Sequence, residues 1–258
     1  MKVALDPSRI ATLAPRVRLE LHGEVDSTQR VARERVSAGE RGPLAIFAEA
    51  QTAGRGQHGR TWHSPAGAAI YLSLIWTSAR SLQALAGLSL AVGLAVQRTL
   101  ARTGIQAQLK WPNDVCVDVQ KIAGILVEVA REASGSRAII GIGLNCAMPD
   151  AAPIDQAWTD LRRLGAKIDR SELAGLLLHE LQVQLDDFEV NGLATAVAAW
   201  PAIDALAGKP LWLQQGTERT RAIGAGIDAR GRLRVMIDGV EHCLSAADVS
   251  VRHEPHLS

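Results

Sequence analysis

The chain has 258 residues, of which 47% are hydrophobic and 21% are charged, and its formal net charge is +1. This composition excludes a largely disordered or collagen-like protein, and the small net charge excludes a chain that attracts nucleic acid or membranes by overall charge. The three cysteines contain no CxxC pair, so we expect neither a disulfide framework nor a cysteine-based zinc site.

The N-terminal and apolar segments predict a cytoplasmic protein without a membrane partner. Asp6-Pro7 precedes any long apolar run, which is not the pattern of a signal peptide. The apolar, uncharged stretch 81–97 has 17 residues and is shorter than the ~20 apolar residues that a membrane span needs. We therefore interpret residues 81–102 as a buried helix.

Hydrophobic periodicity and turn residues predict a series of helices and strands up to residue 207. Helices are expected at 28–38, 81–102 and 171–191, and a Gly-rich polar loop at 51–67. Strands are expected at 44–50, 68–76, 107–111, 115–119, 121–130 and 136–145. From Gly208 onwards the chain has only short strand patterns and turns, including Asp238-Gly239, so we expect a small appended barrel.

The distribution of charge singles out the segment between Glu49 and Asp114. Its 64 residues contain no acidic side chain and six basic ones: Arg55, Arg60, Arg80, Arg98, Arg102 and Lys110. A local charge of +6 in a nearly neutral chain indicates a surface that binds anions. The alternative is a chance gap, because residues 81–97 are largely apolar in any case.

Residues 54–59 fit the pattern G-x-G-x-x-G. A dinucleotide-binding fold would require a helix that begins at these glycines and an acidic residue about 20 positions later, and the sequence has neither. What remains is a loop that allows close backbone approach, with Arg55 and Arg60 suited to bind phosphate or carboxylate. A simple flexible hairpin loop is the alternative.

Lysine is rare in this chain, with five residues against 23 arginines. Two of the five, Lys110 and Lys121, lie at and just after the motif KWPND. A lysine provides a compact point charge, so this cluster indicates an anion site. Surface solubility is the alternative interpretation.

Five motifs occur in a fixed order: Ser27-Thr28, QTAGRGQHGRTW (51–62), KWPND (110–114), KIAGILVE (121–128) and GIGLN (141–145). Together they closely resemble the catalytic domain of biotin protein ligases, over residues 20–165. The resemblance implies an α+β fold. It would comprise a mixed-sheet, class-II-synthetase-like catalytic domain at 1–207 and a small SH3-like β-barrel at 208–258.

The resemblance also implies an adenylate-forming ligase. Biotin and Mg-ATP would give biotinyl-5′-AMP and pyrophosphate, and a lysine of a biotin carboxyl carrier domain, such as that of acetyl-CoA carboxylase, would then attack the adenylate. ATP and Mg2+ are the implied cofactors, no protein-built metal site is expected, and a homodimer stays open. Because 26 residues before Ser27 are too few for the DNA-binding domain of some relatives, we expect neither DNA binding nor repressor activity.

The same resemblance gives roles to individual residues. The catalytic cations would be Lys121, Arg55 and Lys110, with Lys121 between the biotin carboxylate and the α-phosphate. Biotin would contact Ser27, Thr28, Gln29, Gln51, Arg55, Gly56, Gln57, Lys121 and Gly124. ATP would contact Arg60, Trp62, Lys110, Asn113, Asp114, Asn145 and Trp158. Close backbone approach to the ligand would be allowed by Gly124, Gly141 and Gly143.

Some of these residues also have a purely structural interpretation. Ser27 and Thr28 would serve as a helix cap, Asp114 as a turn cap and Trp158 as a core side chain. Two other functions stay open as well. A lipoate- or octanoyl-transferring relative would not be expected to contain both KWPND and KIAGIL, and a non-catalytic biotin- or nucleotide-sensing module would use the small barrel for interactions.

Two positions depart from the pattern of the family. Gln29 follows Ser-Thr where the family usually has Asn, and Gln57 stands in the Gly-rich loop where the family usually has a basic residue. Gln57 provides a neutral hydrogen bond in place of a charged one. This predicts weaker retention of the adenylate, unless His58 or Arg60 compensates.

Overall fold

The computed structural model describes residues 4–215, 217–246 and 250–253, which form one larger mixed sheet, one smaller antiparallel sheet and five α-helices. The helices are α1 (Pro7–Leu13), α2 (Thr28–Ser37), α3 (Leu88–Ala101), α4 (Arg170–Asn191) and α5 (Ala194–Ile203). The strands are β1 (Arg18–Val25), β2 (Leu44–Gln51), β3 (Ala69–Ser78), β4 (Gln108–Lys110), β5 (Asp114–Val117), β6 (Gln120–Glu132), β7 (Gly135–Asn145), β8 (Pro210–Gln215), β9 (Glu218–Ile227), β10 (Leu233–Ile237), β11 (Val240–Leu244) and β12 (Ser250–His253).

Seven strands form the main sheet, in the order β1-β2-β3-β7-β6-β5-β4. β1 and β2 are parallel and the other neighbouring pairs are antiparallel, so the mixed α+β class is confirmed. β4 to β7 are joined by short turns, which antiparallel neighbours allow. β3 pairs with β7 over its whole length, and this brings residues about seventy positions apart in the chain into register, such as Ser73 and Gly141.

The two faces of the main sheet are covered by different helices. Phe47 of β2 belongs to the large apolar cluster that includes α3 and α4, whereas its neighbour Ile46 packs with Val31 and Ala32 of α2. This alternation follows the two-residue period of a β-strand. The candidate site lies on the α2 side of the sheet.

The predicted helix at 81–102 is divided in the structure. A 3-10 turn spans Leu82–Leu85, Gly87 has a φ of 78°, and α3 begins only at Leu88. A left-handed φ cannot continue an α-helix and is adopted most easily by glycine, so the helix starts after it. The segment Leu82–Ala101 is long and apolar enough to cross a membrane by length and composition alone, but most of it is buried inside the fold.

The C-terminal strands form a five-stranded antiparallel sheet in the order β11-β10-β9-β8-β12. It packs against the rest of the molecule, because Leu211, Leu233 and Val235 share one apolar cluster with α3 and α4. Trp111 Nε1 also donates a hydrogen bond to Gly231 O at 3.0 Å. Closure into an SH3-like barrel and the division at 207/208 stay predictions, and residues 216, 247–249 and 254–258 lie outside the described part.

Candidate active site

The α2 side of the main sheet has a patch without side chains, which we call the glycine shelf and define as Gly124, Gly141 and Gly143. Gly124 lies opposite Gly143 in the β6–β7 pair, and Gly141 is two residues away on the same face. A Cβ at Gly143 would lie 2.3 Å from Trp62 Cε2, and one at Gly141 would lie 2.7 Å from Gln29 Oε1. The glycines are therefore required for other groups to approach the backbone.

A polar cluster lies where α2 begins and β2 ends. Thr28 N donates to Gln51 Oε1 at 2.9 Å, and Gln51 Nε2 donates to Ser64 Oγ at 2.9 Å. The Ser64 hydroxyl in turn donates to Trp62 O at 2.9 Å. Ser27 occupies the cap position of α2, but its side chain makes no capping hydrogen bond. The cap interpretation therefore does not account for the Ser27 hydroxyl.

Gln29 is buried beneath this cluster, with 3% of its surface exposed. Its Nε2 donates to Ile139 O at 3.2 Å, and its Oε1 accepts from Ser73 Oγ at 2.9 Å. Ser73 Oγ also lies 2.9 Å from Thr28 Oγ1. Both ends of the Gln29 amide thus bind protein atoms, and its contact with biotin stays a prediction.

The Gly-rich loop is a narrow hairpin with a 3-10 turn, Gln57–Gly59, at its tip. Gly56 N donates to Arg60 O at 2.7 Å, and Arg55 forms an antiparallel bridge with Thr61. Arg55 and Arg60 are exposed, and Gln57 is half-buried. The loop therefore presents two guanidinium groups to solvent, whereas the side chain of His58 lies outside the described part of the structure.

Trp62 connects this loop to the sheet. Its backbone N–H donates to Gly54 O at 2.9 Å, and its ring lies against Gly124 and Gly143 of the glycine shelf. Its Nε1 is buried and has no hydrogen-bond partner among the residues that the structure describes. The Lys121 ammonium lies 5.1 Å from the centre of the ring, within the range of a cation–π contact.

Lys121 is held by both its side chain and its backbone. The ammonium forms an ion pair with Asp114 Oδ1 at 2.6 Å, in a site where both side chains are mostly buried. Lys121 N donates to Ala157 O at 3.0 Å, and Thr159 N donates to Lys121 O at 3.0 Å. The segment that contains Trp158 therefore fixes the strand position of the predicted catalytic cation.

The other predicted nucleotide-binding residues surround this pair. Lys110 lies opposite Asp114 in the β4–β5 hairpin, and no ion pair involves it among the residues that the structure describes. Asn113 Nδ2 donates to Ile125 O at 2.8 Å, and Asn145 Nδ2 donates to Thr159 O at 3.0 Å. Both amide nitrogens are thus used to hold the local backbone. Within the described part of the chain, Lys110 has no carboxylate partner, and neither do Arg55 and Arg60.

Trp158 is half-buried and has the Arg163 guanidinium 3.8 Å from its ring centre. Arg163 also pairs with Asp150 Oδ1 at 3.0 Å. A charged group therefore stacks on the ring, and the ring packs beside Tyr71 and Met148. The core interpretation of Trp158 describes only part of this environment.

The cysteines near the site are not activated nucleophiles. Burial raises the pKa of Cys146, which follows Asn145, to about 12, and burial raises the pKa of Cys116 to about 12 as well. Both thiols are protonated at neutral pH, whereas the thiolate is the reactive form. This chemistry fits a reaction in which the substrates attack one another and no enzyme thiol takes part.

Comparisons with known proteins give one family. The model of the biotin/lipoate A/B protein ligase family matches residues 23–145. The bifunctional ligase/repressor BirA of Escherichia coli is 35% identical over 232 residues, which cover 88% of this chain and 72% of that protein. The biotin–[acetyl-CoA-carboxylase] ligase of Paracoccus denitrificans is 34% identical over 236 residues, covering 87% and 96%. The chain belongs to the biotin protein ligase family.

A solved member of the biotin protein ligases has the same overall fold. The structure of the biotin protein ligase from Aquifex aeolicus in complex with biotin and ATP superposes with a TM-score of 0.79 at 27% identity. The match covers 92% of this chain and 99% of that one. The predicted membership in this family is thereby confirmed, and so is the prediction that the chain is a ligase.

Two buried hydroxyl residues of this site, Ser64 and Ser73, are not among the residues that the motifs predict. Ser73 is fully buried in the middle of the apolar strand β3, and Ser64 is buried in the last part of the Gly-rich loop. A hydroxyl in the centre of an apolar strand needs a hydrogen-bond partner, so Ser73 had a usable signal in the sequence. Ser64 had none, because serine is common in loops.

Proposed function

We propose that the chain is an ATP-dependent biotin–protein ligase that forms biotinyl-5′-AMP and transfers biotin to a lysine of a carboxylase carrier domain. The observation that carries this proposal is the position of Trp62. Its carbonyl accepts from Ser64, which holds Gln51, and its ring lies 5.1 Å from the Lys121 ammonium. One residue thus contacts a polar cluster through its backbone and a cation through its ring, and biotin has a polar ureido head and an anionic tail.

The polar cluster fits the ureido head of biotin. Thr28 and Ser27 are 4% and 3% exposed, so the part of a ligand that reaches their hydroxyl groups must lose its hydrating water. A urea carbonyl accepts hydrogen bonds and its N–H groups donate them, and the cluster contains hydroxyl groups for both. The dithiolane ring of lipoate has no such groups and would leave these hydroxyls unpaired, which is costly in a buried site.

The cations fit the first chemical step. A carboxylate oxygen of biotin would attack the α-phosphorus of ATP, the bond to the β-phosphate oxygen would break, and pyrophosphate would leave. Both reacting groups are anions, so fixed positive charge lowers the barrier. We assign this role to Lys121, with Arg55 on the Gly-rich loop and Lys110 beside the KWPND turn as the supporting cations.

The second step needs little from the protein beyond orientation. The amine of the carrier lysine would attack the acyl carbon of the adenylate, and AMP would leave with its phosphate oxygen. The exposed Gly-rich loop, with Gly56 and Gln57 near its tip, would cover the adenylate and exclude water, because closure over a reactive intermediate prevents hydrolysis. Relatives named biotin–[acetyl-CoA-carboxylase] ligases support a carboxylase carrier as the partner.

The nucleotide would lie beside Lys121, in contact with Arg60, Trp62, Asn113, Asn145 and Trp158. Mg2+ would reach the site with the phosphates of ATP, whose charge it offsets when bound. In the described residues no group of three His, Cys, Asp or Glu side chains could hold a metal ion. Asp114 is the carboxylate at the site, and one carboxylate together with phosphates suits Mg2+.

The test is to incubate the protein with biotin, ATP, Mg2+ and a carrier domain and to measure the mass of the carrier. We expect one biotinyl group per carrier, and no change in a carrier whose target lysine is replaced by arginine. Octanoate and lipoate in place of biotin are the matched substrates. If the carrier is modified with either of these and not with biotin, the chain is a lipoate-type enzyme. If the carrier is not modified at all, the chain is a non-catalytic binding module.

A further inference from the structure

The hydrogen-bond directions around Gln29 are fixed by backbone groups. Ile139 O can only accept, so the Gln29 atom that faces it at 3.2 Å is the amide nitrogen. Gln29 Oε1 therefore faces Ser73 Oγ at 2.9 Å. Because Thr28 N–H faces Gln51 at 2.9 Å, the Gln51 atom there must be the oxygen.

Proton counting then determines the direction of two hydroxyl groups. Ser73 lies 2.9 Å from both Gln29 Oε1 and Thr28 Oγ1, but it has one proton. If Ser73 donated to Thr28, the buried oxygen of Gln29 would lose the donor that faces it, and a buried acceptor without a donor is unfavourable. Ser73 therefore donates to Gln29 and accepts from Thr28.

Thr28 consequently turns its proton inward. The contact with Ser73 is shorter than the 3.2 Å contact with Gln51 Oε1, which already accepts from Thr28 N. The Thr28 hydroxyl then offers a lone pair, and not a proton, to a ligand beside the glycine shelf. Without an acceptor at position 29, Ser73 would be free to donate to Thr28, and Thr28 would be free to donate outward.

We propose that Gln29, acting through Ser73, is a positioning residue that makes Thr28 a hydrogen-bond acceptor and so selects a ligand with an N–H group at that point. This inference rests on the proposed function, in which the ligand head is a cyclic urea. It differs from the expectation that Gln29 itself contacts biotin. The residue would act on specificity from one layer below the ligand.

The experiment compares biotin with its two cyclic carbamate isomers, in each of which an oxygen replaces one ureido N–H. Calorimetry gives the Kd of each ligand for the parent and for Gln29→Leu. For one isomer we expect the parent to favour biotin by about 100-fold, because a carbamate oxygen would face the lone pair of Thr28. In Gln29→Leu we expect the ratio of the carbamate Kd to the biotin Kd to fall to about tenfold or less. A purely structural role would weaken both ligands equally.

Ser73→Ala interrupts the same chain from the other side and serves as the second variant if Gln29→Leu does not fold. We expect the same fall in the ratio, and no further fall in the double variant. If the ratio of the carbamate Kd to the biotin Kd is unchanged in either folded single variant, the inference is overturned. It is also overturned if the parent binds both isomers as tightly as it binds biotin. A parent that binds biotin but releases no pyrophosphate with ATP contradicts the proposed function, and the Kd ratio then still decides the inference.

Discussion

The ammonium of Lys121 and Asp114 Oδ1 lie 2.6 Å apart and form an ion pair. The pair joins the KWPND turn to the start of β6, and both side chains are largely withdrawn from water. A substrate anion that reaches Lys121 must therefore share it with Asp114 or displace that carboxylate. The cation is positioned before the substrates arrive, and preorganised charge is the form that accelerates a reaction most.

Replacement of this cation is the first prediction. Lys121→Ala should slow adenylation by about 100-fold or more, because the biotin carboxylate and the α-phosphate would meet without it. Biotin affinity should change much less, since the polar cluster at Thr28 is intact. Pyrophosphate release at saturating biotin is the measurement, and the exposed Lys167→Ala is the control. A rate within about twofold of the parent would remove Lys121 from the mechanism.

The second prediction concerns the contact between the glycine shelf and Trp62. A methyl group at Gly143 would overlap the indole, which a Cβ meets at 2.3 Å, so Gly143→Ala should push Trp62 away and loosen residues 54–62. Hydrogen exchange of that segment should become faster, and the KM for biotin should rise by about tenfold, the effect of losing about 1.4 kcal/mol. Gly23→Ala is the matched control, because nothing lies within 4 Å of its added Cβ. Equal exchange in the two variants would contradict the prediction.

The third prediction concerns Gln57 at the tip of the Gly-rich loop. Gln57→Arg should lengthen the lifetime of bound biotinyl-AMP by about fivefold, because a charge-assisted hydrogen bond is roughly twice as strong as a neutral one. Stray biotinylation of bystander lysines should fall in parallel. Dissociation of labelled biotinyl-AMP is the measurement, and Gln57→Met separates side-chain length from charge. Release from Gln57→Arg as fast as from the parent would show that the neutral residue is not the weak point.

The fourth prediction is a pH dependence of stability. Burial raises the pKa of Asp204 above its ordinary value of 3.8 and outweighs the hydrogen bond that Leu206 N donates to Asp204 Oδ1 at 2.8 Å. A raised carboxyl pKa means that the folded state binds the proton more tightly, so stability is lost as the pH rises from 3.8 through the folded pKa. Asp204→Asn does not ionise. Its free energy of unfolding relative to the parent should therefore increase between pH 3.5 and pH 7, measured by urea denaturation.

Asp228 provides the control of opposite sign. Burial acts to raise its pKa, but hydrogen bonds from the backbone and side chain of Arg232 outweigh this and lower the pKa below 3.8. Its contribution to stability is present above 3.8 and is lost as the pH falls. Asp228→Asn should thus be less stable than the parent at pH 7 and approach it at acid pH. The same trend in both variants would contradict the assignment for Asp204.

The sequence alone determined the elements with strong local patterns. α2 begins after Ser27, β2 follows the apolar run at 44–51, and α4 follows the leucine spacing from 170 to 191. These patterns depend on residues a few positions apart, so they can be read along the chain. The ordered motifs also identified the family, and two of them, KWPND and KIAGIL, contain Asp114 and Lys121.

Only the tertiary structure decided which side chains meet at the site. Gln29 binds Ile139 across 110 positions, and Ser73 reaches Gln29 across 44, and neither separation has a periodic signal in the sequence. The register of β3, β7 and β6 brings the three shelf glycines together, and a shift of one residue would turn them to the opposite face. Local propensity fixes the type of an element, whereas the pairing of distant strands fixes its neighbours, and the chemistry of this site depends on the neighbours.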